Sequence, residues 1–373
     1  MNNSKISLTI LLALVAAIWA LSACSKPKPL QLGFVAGLSG RVADLGTAGR
    51  NGAMLAVEQR NTAGGVNGRP VELVIRDDQQ NPDTAKQVVA ELVAQNLPCI
   101  IGPMTSSMAM ATVPLVNASK SVMLSPTVTT TALSGKDDNF LRVISVTSDY
   151  AGKSARYQFE KLGHRSVAVM YDLNNKAYTE DWINGFRKIY EGLGGRFATV
   201  KSFTSSDQVL FLASVKELLA VKPDVVLIVS NAVDAAMICQ QIRSINKNMP
   251  IVMSEWASTE RFTELAGASA ERVTVAQFIN RNDASERYQK FRASYRERFS
   301  QEPGFAGVAG YDAATVALDA TAAQKPGESL KDAIIRFKTF QGVQQQVTID
   351  SFGDANRTTF VTEIRDGTYV TVE

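Results

Sequence analysis

Twice along this chain, short β-rich apolar runs alternate with longer stretches whose apolar positions fall three and four apart. In the first block, strands at 32–36, 71–75, 99–101 and 122–124 alternate with helices at 49–60, 83–95 and 107–119. In the second, strands at 167–171, 197–202, 225–229 and 251–253 alternate with helices at 152–162, 179–193, 207–220 and 234–245. The C-terminal part adds helices at 285–299, 307–323 and 330–337, then strands near 347–350, 360–364 and 369–372. Strands that are apolar nearly throughout have both sheet faces covered, which predicts parallel α/β architecture. A length of 373 residues fits two lobes at ~100–200 residues per domain. Asn81-Pro82-Asp83 reads as a helix start, and Gly64-Gly65-Val66-Asn67-Gly68 as a tight reversal.

Residues 6–21 are apolar except for Ser7 and Thr9, and Lys5 is the only charged side chain ahead of them. The stretch is short for the ~20 residues that span a bilayer but suits the core of a signal peptide. It ends in Leu21-Ser22-Ala23-Cys24, which resembles a bacterial lipoprotein signal. That resemblance implies a signal peptide over 1–23, a lipidated Cys24 and a short tether over 24–29. The chain would then be exported to the periplasm or cell surface and touch the membrane through its anchor alone. The alternative is an uncleaved N-terminal anchor with an incidental cysteine.

Composition removes several function classes. Lys and Arg total 39 against 36 Asp and Glu, a net charge of +3 without a long basic run, which gives no nucleic-acid footprint. One histidine, His164, and three cysteines leave no His-rich metal site and no disulfide-dense scaffold. Cys99 and Cys239 read as buried thiols, although an exported compartment permits a disulfide. Neither has a neighbouring positive charge to activate it. Gly-x-Gly-x-x-Gly, the phosphate-binding loop and the nucleophile elbow are all missing, and Asp350, Asp354 and Glu363 do not fit a calcium-loop register. Asp77-Asp78 reads as a solvated loop pair, and His164 as an exposed residue in a turn. No cofactor, metal or catalytic constellation is expected.

Three loops at the carboxyl ends of strands remain, at the edge where open parallel sheets bind ligands. Gly102 to Ser107 carries Ser106, either a helix N-cap or a hydroxyl that offers itself, with the helix amides, to an anion. Leu124 to Thr131 is rich in hydroxyls, with Thr127 and Thr129 just past a strand. Met253-Ser254-Glu255-Trp256 places a carboxylate and an aromatic after a buried strand; the acid is either solvated or the partner of a ligand ammonium.

From Leu30 to Glu373 the chain resembles the leucine/isoleucine/valine-binding family of type I periplasmic binding proteins, the receptors of amino-acid ABC transporters. The marks are Leu38-Ser39-Gly40 with Gly46, then Gly52-Ala53, the Gly64–Gly68 cluster, Asp77-Asp78 with Asn81-Pro82, Ile101-Gly102-Pro103, Ser125-Pro126 and Tyr311-Asp312-Ala313. The resemblance implies two Rossmann-like lobes joined by three crossovers and closing on ligand as a hinged trap. Those crossovers fall near 145–147, 275–278 and 346–349, giving one lobe from 30–146 plus 277–347 and another from 147–276 plus 348–373.

It implies a non-catalytic monomer that captures an amino acid for membrane permease and ATPase subunits. Ser106 would hold the ligand α-carboxylate, Thr127 contribute backbone and Thr129 a hydroxyl, and Glu255 receive the α-ammonium. Tyr178 matches a second-lobe tyrosine, and Asp149 and Tyr150 are further candidates at the first crossover. Leu45 and Asn231 stand where the family has pocket aromatics, Trp256 where it often has Gly, and Gln80 and Thr105 where it has a disulfide. A kept zwitterion clamp with a rebuilt pocket implies an amino acid or close analogue, not leucine in particular. The competing readings are a receptor of this fold for an amide, urea or aromatic acid, a ligand-sensing lipoprotein, and an anchored enzyme.

Overall fold

The computed structural model describes residues 27–373; the signal peptide expected over 1–23 and Cys24 lie outside the described residues. The first sheet is built from β1 (Leu30–Ala36), β2 (Val71–Asp77), β3 (Cys99–Ile101), β4 (Val122–Ser125) and β5 (Phe140–Arg142). Its order is β2-β1-β3-β4-β5 and every pairing is parallel. It carries helices α1 (Ala43–Thr62), α2 (Pro82–Ala94) and α3 (Ser106–Asn117). Asn81 starts α2 as its sequence predicts, accepting from the amides of Asp83 at 3.0 Å and Thr84 at 3.1 Å.

The second block contains α4 (Thr147–Arg156), β6 (Ser166–Asp172), α5 (Lys176–Gly192), β7 (Arg196–Phe203), α6 (Leu212–Ala220), β8 (Val225–Val229), α7 (Ala232–Ile245), β9 (Ile251–Met253), α8 (Glu260–Ala266) and β10 (Thr274–Gln277). Beyond it lie α9 (Glu286–Phe299), α10 (Gly304–Ala322) and α11 (Leu330–Phe337), then β11 (Thr339–Gln341), β12 (Gln346–Ile349) and β13 (Ala355–Asn356). β14 (Phe360–Arg365) and β15 (Thr368–Thr371) complete a seven-stranded sheet of order β15-β14-β10-β9-β8-β6-β7. Its β-α-β part is parallel; β14 and β15 are added antiparallel at one edge. All five residues of β8 are buried, as expected of a strand covered on both faces. The molecule is thus α/β with two lobes. Helix α1 meets α10 backbone to backbone: a Cβ on Gly52 would stand 2.0 Å from the Gly307 carbonyl oxygen, so only glycine permits the approach.

Two expectations about chain path change. The crossover expected near 275–278 overlaps a strand of the large sheet, Thr274–Gln277, and the chain leaves that sheet only afterwards to pack α9 on α1. Residues 346–349, the expected third crossover, form the middle strand of the antiparallel sheet β11-β12-β13, and the chain reaches the large sheet at Phe360. Alternating exposure along β12 shows why: Val347 and Ile349 turn inward while Gln346 and Thr348 face out, the pattern of a half-buried strand. A division at 347/348 would cut that strand. The small sheet is tied to the first lobe, because the Arg142 amide donates to the Gly353 carbonyl at 3.0 Å. Asp78, read as solvated, is instead buried, with its carboxyl pushed up to about 6 chiefly by desolvation.

Where the passages between lobes meet, Arg357 and Asp312 form an ion pair at 2.8 Å with both side chains fully buried. The Val343 amide donates to the other Asp312 oxygen at 2.7 Å, and the Arg357 amide donates to Ser145 Oγ at 2.7 Å. Removing one partner of such a pair strands the other charge. Asp312→Ala is expected to cost about 3–5 kcal/mol of unfolding free energy, read by urea denaturation; a loss below 1 kcal/mol (roughly the worth of a surface pair) would refute this account.

The lobes are held together around the rim of the cleft. Arg41, in the turn after β1, pairs with the buried Asp234 at the start of α7 and with Asp207 at 3.2 Å. Thr259 donates to Asp44 at 2.5 Å, Thr131 donates from its amide and its hydroxyl to Asp181 at 2.7 Å each, and the Ser107 amide donates to Asn175 Oδ1 at 3.0 Å. Asp234 is fully buried, so opening the lobes or truncating Arg41 removes the cation facing it. Arg41→Ala is expected to disfavour the closed arrangement by about 2–5 kcal/mol and to raise the solution radius of gyration measured by X-ray scattering; an unchanged scattering profile would remove Arg41 from the closure.

Candidate functional site

Between the lobes, Leu45, Met104, Thr105, Ser106, Thr127, Thr129, Ile144, Asn175, Tyr178, Glu255, Trp256 and Phe305 line a narrow cleft with room for about 20 Å³. A single enclosed water needs roughly 10–15 Å³ on this scale, so the lobes are drawn nearly shut. Seven residues expected in a binding site meet here: Leu45, Ser106, Thr127, Thr129, Tyr178, Glu255 and Trp256. Sheet topology brings them together. Ser106 follows β3, Thr127 and Thr129 follow β4, and Glu255 and Trp256 follow β9, all at carboxyl ends of strands.

On the first lobe the hydroxyls are arranged to donate. Ser106 is the first residue of α3, whose N-cap is Thr105, so the alternative of Ser106 as the cap falls away. Ser106 Oγ accepts from the Thr130 amide at 3.3 Å, which leaves its own proton available. Thr129 Oγ1 accepts from Thr147 Oγ1 at 2.9 Å and is likewise left with a proton to give. Thr127 differs: its hydroxyl donates to the Met104 carbonyl at 2.6 Å, so the backbone is what it can offer a ligand. Two free O–H groups beside a helix N-terminus make an anion-binding end. Thr105 and Gln80 exchange side-chain hydrogen bonds at 2.9 and 3.1 Å, linking the positions where the resemblance implies a family disulfide.

The second lobe supplies the opposite charge. Glu255 is 4% exposed, in a 3-10 turn over Glu255–Ala257. Its Oε2 accepts from Trp182 Nε1 at 2.9 Å, while its Oε1 is buried with no hydrogen-bond partner among the described residues. Tyr178 Oη and Ser254 Oγ are buried beside it; neither makes a hydrogen bond of full geometry among the described residues, although the Tyr178 hydroxyl is near enough to favour the charged carboxylate. Desolvation pushes the Glu255 carboxyl up to about 7. An ammonium carries three donors and a positive charge, and Oε1 with these neighbouring oxygens offers it acceptors.

Three expected residues lie elsewhere. Asn231 caps α7, its Oδ1 accepting from the Asp234 amide at 3.0 Å. Asp149 is exposed in the first turn of α4, and Tyr150 is buried in α4; neither lines the cavity. Met104, Ile144, Asn175, Phe305 and the supporting Trp182 were not singled out from sequence. Trp182 had a signal: it lies four residues after Tyr178 on one helix, hence on the same face. Ile144 and Phe305 had none, because their place depends on how distant segments cross. Among the described residues there is no cluster of three or more metal-ligating side chains, and no helix is long and apolar enough to cross a membrane. His164 is half-buried, with Nδ1 2.8 Å from Gln158 Oε1.

Comparison with known proteins agrees with this geometry. A family model described as periplasmic binding protein matches residues 29–368. The leucine-, isoleucine-, valine-, threonine- and alanine-binding protein of Pseudomonas aeruginosa is 22% identical over 329 residues, 87% of this chain and 87% of its own. The crystal structure of the branched-chain amino acid transporter substrate binding protein LivJ from Streptococcus pneumoniae, in complex with isoleucine, matches with a TM-score of 0.85 at 26% identity, covering 92% of this chain and 99% of that one. An ABC transporter solute binding protein from R. palustris, in complex with benzoate, has the same fold at 19% identity, with a TM-score of 0.84 and coverage of 92% and 95%. A family match over residues 29–368, on a bilobal fold with a cleft between the lobes, places this chain in the periplasmic binding protein family, and the curated proteins it is similar to are Leu/Ile/Val-binding proteins.

Proposed function

We propose that this chain captures a free α-amino acid between its lobes outside the cytoplasm and delivers it to ABC permease and ATPase subunits. In this reading it works as a monomer tethered through a lipidated Cys24. The observation that carries the ligand class is Glu255 Oε1, a buried carboxylate oxygen without a partner, facing the donor hydroxyls of Ser106 and Thr129 across the cavity. The α-carboxylate lies against Ser106, Thr129, the Thr127 backbone and the α3 N-terminus; the α-ammonium lies against Glu255. Leu45, Tyr178 and Trp256 flank the remainder. Asn231, Asp149 and Tyr150 act at second hand, by holding the elements that carry the site.

A charge-assisted hydrogen bond contributes about 1.5–3 kcal/mol net, and micromolar affinity corresponds to about 8 kcal/mol. A two-ended clamp therefore supplies much of the binding, and the cavity wall is left to select the side chain. The R. palustris relative bound to benzoate keeps a second reading open, an aromatic acid or an uncharged amide or urea lying beside a protonated Glu255.

Two measurements separate these readings. Glu255→Ala is expected to weaken amino-acid binding by about 2–5 kcal/mol in isothermal titration calorimetry; retained affinity removes Glu255 from the site.

The second is pH. Burial raises the Glu255 carboxyl from its ordinary 4.5 to about 7, so the ligand-free protein favours the protonated acid and loses stability as pH rises through that interval. An ammonium ligand favours the carboxylate, so binding below neutrality must expel a proton. The nearest titratable neighbours, Tyr150 and Tyr178, stay neutral throughout because burial raises both. Affinity is expected to fall by up to about tenfold per pH unit below about 7, with proton release visible as buffer-dependent binding heats that Glu255→Gln abolishes. An affinity that rises on acidification favours the second reading.

A further inference from the structure

The loop that follows β4 governs both hydroxyls of the anion-binding end. Thr129 lies within it, and the Thr130 amide donates to Ser106 Oγ at 3.3 Å. One residue further, Thr131 reaches Asp181 on α5, the second-lobe helix that also carries Tyr178 and Trp182. Arg142 underlies this loop. The parallel pairing of β5 with β4 sets Arg142 beside Ser125, where the loop departs, and its side chain is fully buried. Its Nη1 donates to the carbonyls of Val128 at 3.3 Å and Thr130 at 3.0 Å, and its Nη2 donates to Ser134 Oγ at 2.7 Å. The Thr129 carbonyl between them accepts instead from the Thr147 amide at 2.8 Å.

Asp354 fixes the guanidinium in turn. One of its oxygens accepts from Arg142 Nε at 2.7 Å, and the other accepts from the Gly135 amide at 2.8 Å, at the far end of the same loop. A buried ion pair is not in itself a source of stability, because desolvation takes back most of what the attraction gives. What a guanidinium adds is a planar fork of N–H donors whose directions are fixed relative to one another. Here the fork spans two carbonyls, a hydroxyl and a carboxylate. With the carbonyls of Val128 and Thr130 held by Arg142 and that of Thr129 held by Thr147, the backbone that carries the Thr129 hydroxyl is fixed from both sides. Arg142 itself does not line the cleft, so whatever it does for a ligand it does through this loop.

We propose that Arg142 is a positioning residue of the binding site: through the Val128 and Thr130 carbonyls it holds Thr129 and Ser106 where a ligand carboxylate is received, and Thr131 where it meets Asp181 across the cleft. The inference rests on the amino-acid reading above and adds to it a residue that touches no ligand. A lysine in this place keeps a positive charge facing Asp354, but its ammonium is a point charge on a flexible stem and cannot span the whole set of acceptors. Loss of the fork is therefore felt at the negative end of a solute and not at its positive end.

The test compares an amino acid with its α-amide, which keeps the ammonium and the side chain and lacks the carboxylate charge. Whichever of alanine, valine, leucine and isoleucine the wild-type protein binds most tightly is titrated beside its amide by isothermal titration calorimetry. The same pair is then measured on Arg142→Lys, Asp354→Asn, Thr129→Val and the double variant Arg142→Lys/Thr129→Val. Hydrogen bonds to a charged acceptor are worth about twice those to a neutral one. Arg142→Lys is therefore expected to weaken the acid by about tenfold or more and the amide by no more than about threefold, with Asp354→Asn acting in the same direction. Because Arg142 acts through Thr129, the double variant is expected to lose little more than the weaker-binding single variant. Acid and amide weakened in equal proportion, unchanged affinities, or single losses that add in full each overturn the assignment and leave the amino-acid reading standing. Asp354→Asn decides by the same ratio if Arg142→Lys does not fold. Wild-type protein that binds none of the four acids, or binds them no more tightly than their amides, overturns both.

Discussion

A carboxylate kept dry with one oxygen unsatisfied is the constraint around which this molecule is organised. Removing such a group from water carries an effective penalty of several kcal/mol even after relaxation. Glu255 meets that penalty only in part, through the Trp182 indole on one oxygen. The other oxygen is buried and empty, and the acid responds by holding its proton up to about 7. A site with that deficit attracts whatever can bring positive charge and several donors into a dry place. It gains most from a solute whose own desolvation is met at both ends.

The two sheets make the deficit possible. Each places loops at the carboxyl ends of its strands, and the lobes face each other so that these edges oppose. The apolar cluster runs without a break from the first sheet through the cavity wall into the second, so the cleft is a gap within one core. Closing it removes apolar surface from water and raises the strength of every charge interaction inside. The rim contacts then differ in weight. Lys176–Glu180 and Arg261–Glu264 are exposed pairs within single helices and contribute little. Arg41 reaches across from the other lobe to Asp234, whose carboxylate is fully buried, so this pair spans the cleft and carries more weight.

Much of this was readable in the chain, for identifiable reasons. β8 and β9 were placed to the residue because an unbroken apolar run admits no other reading, and Asn81-Pro82 marks a helix start by its chemistry. β5 was missed: Phe140–Arg142 is three residues long and contains a fully buried arginine whose partner, Asp354, is more than two hundred residues away. Residues 346–349 read as a crossover in sequence because a lone short strand does not announce its partners. In the site, the loops after strands were legible and their companions less so. Asn231 illustrates the limit: its position resembled a pocket residue, while its side chain is spent on capping α7. Ile144 and Phe305 enter the wall only through the way the lobes are connected.

Charge pairing elsewhere in the molecule sharpens the meaning of Glu255. The two arginines buried near the passages between lobes are each matched, Arg142 to Asp354 and Arg357 to Asp312, and the rim acids Asp234 and Asp207 are matched by Arg41. Glu255 has no cation of the chain within ion-pair distance among the described residues, although it is buried much as Asp234 and Asp312 are. A lysine or arginine at position 182 would have completed the pair and closed the site against a ligand ammonium. A tryptophan there fixes the carboxylate with one neutral N–H and leaves its charge uncompensated. The same choice spaces the cavity, since Trp182 stands behind the acid and Trp256 beside it. Neutral donors and apolar walls thus leave the acid to its proton until a cationic solute arrives, and the cost in stability of keeping Glu255 without a cation is returned only then.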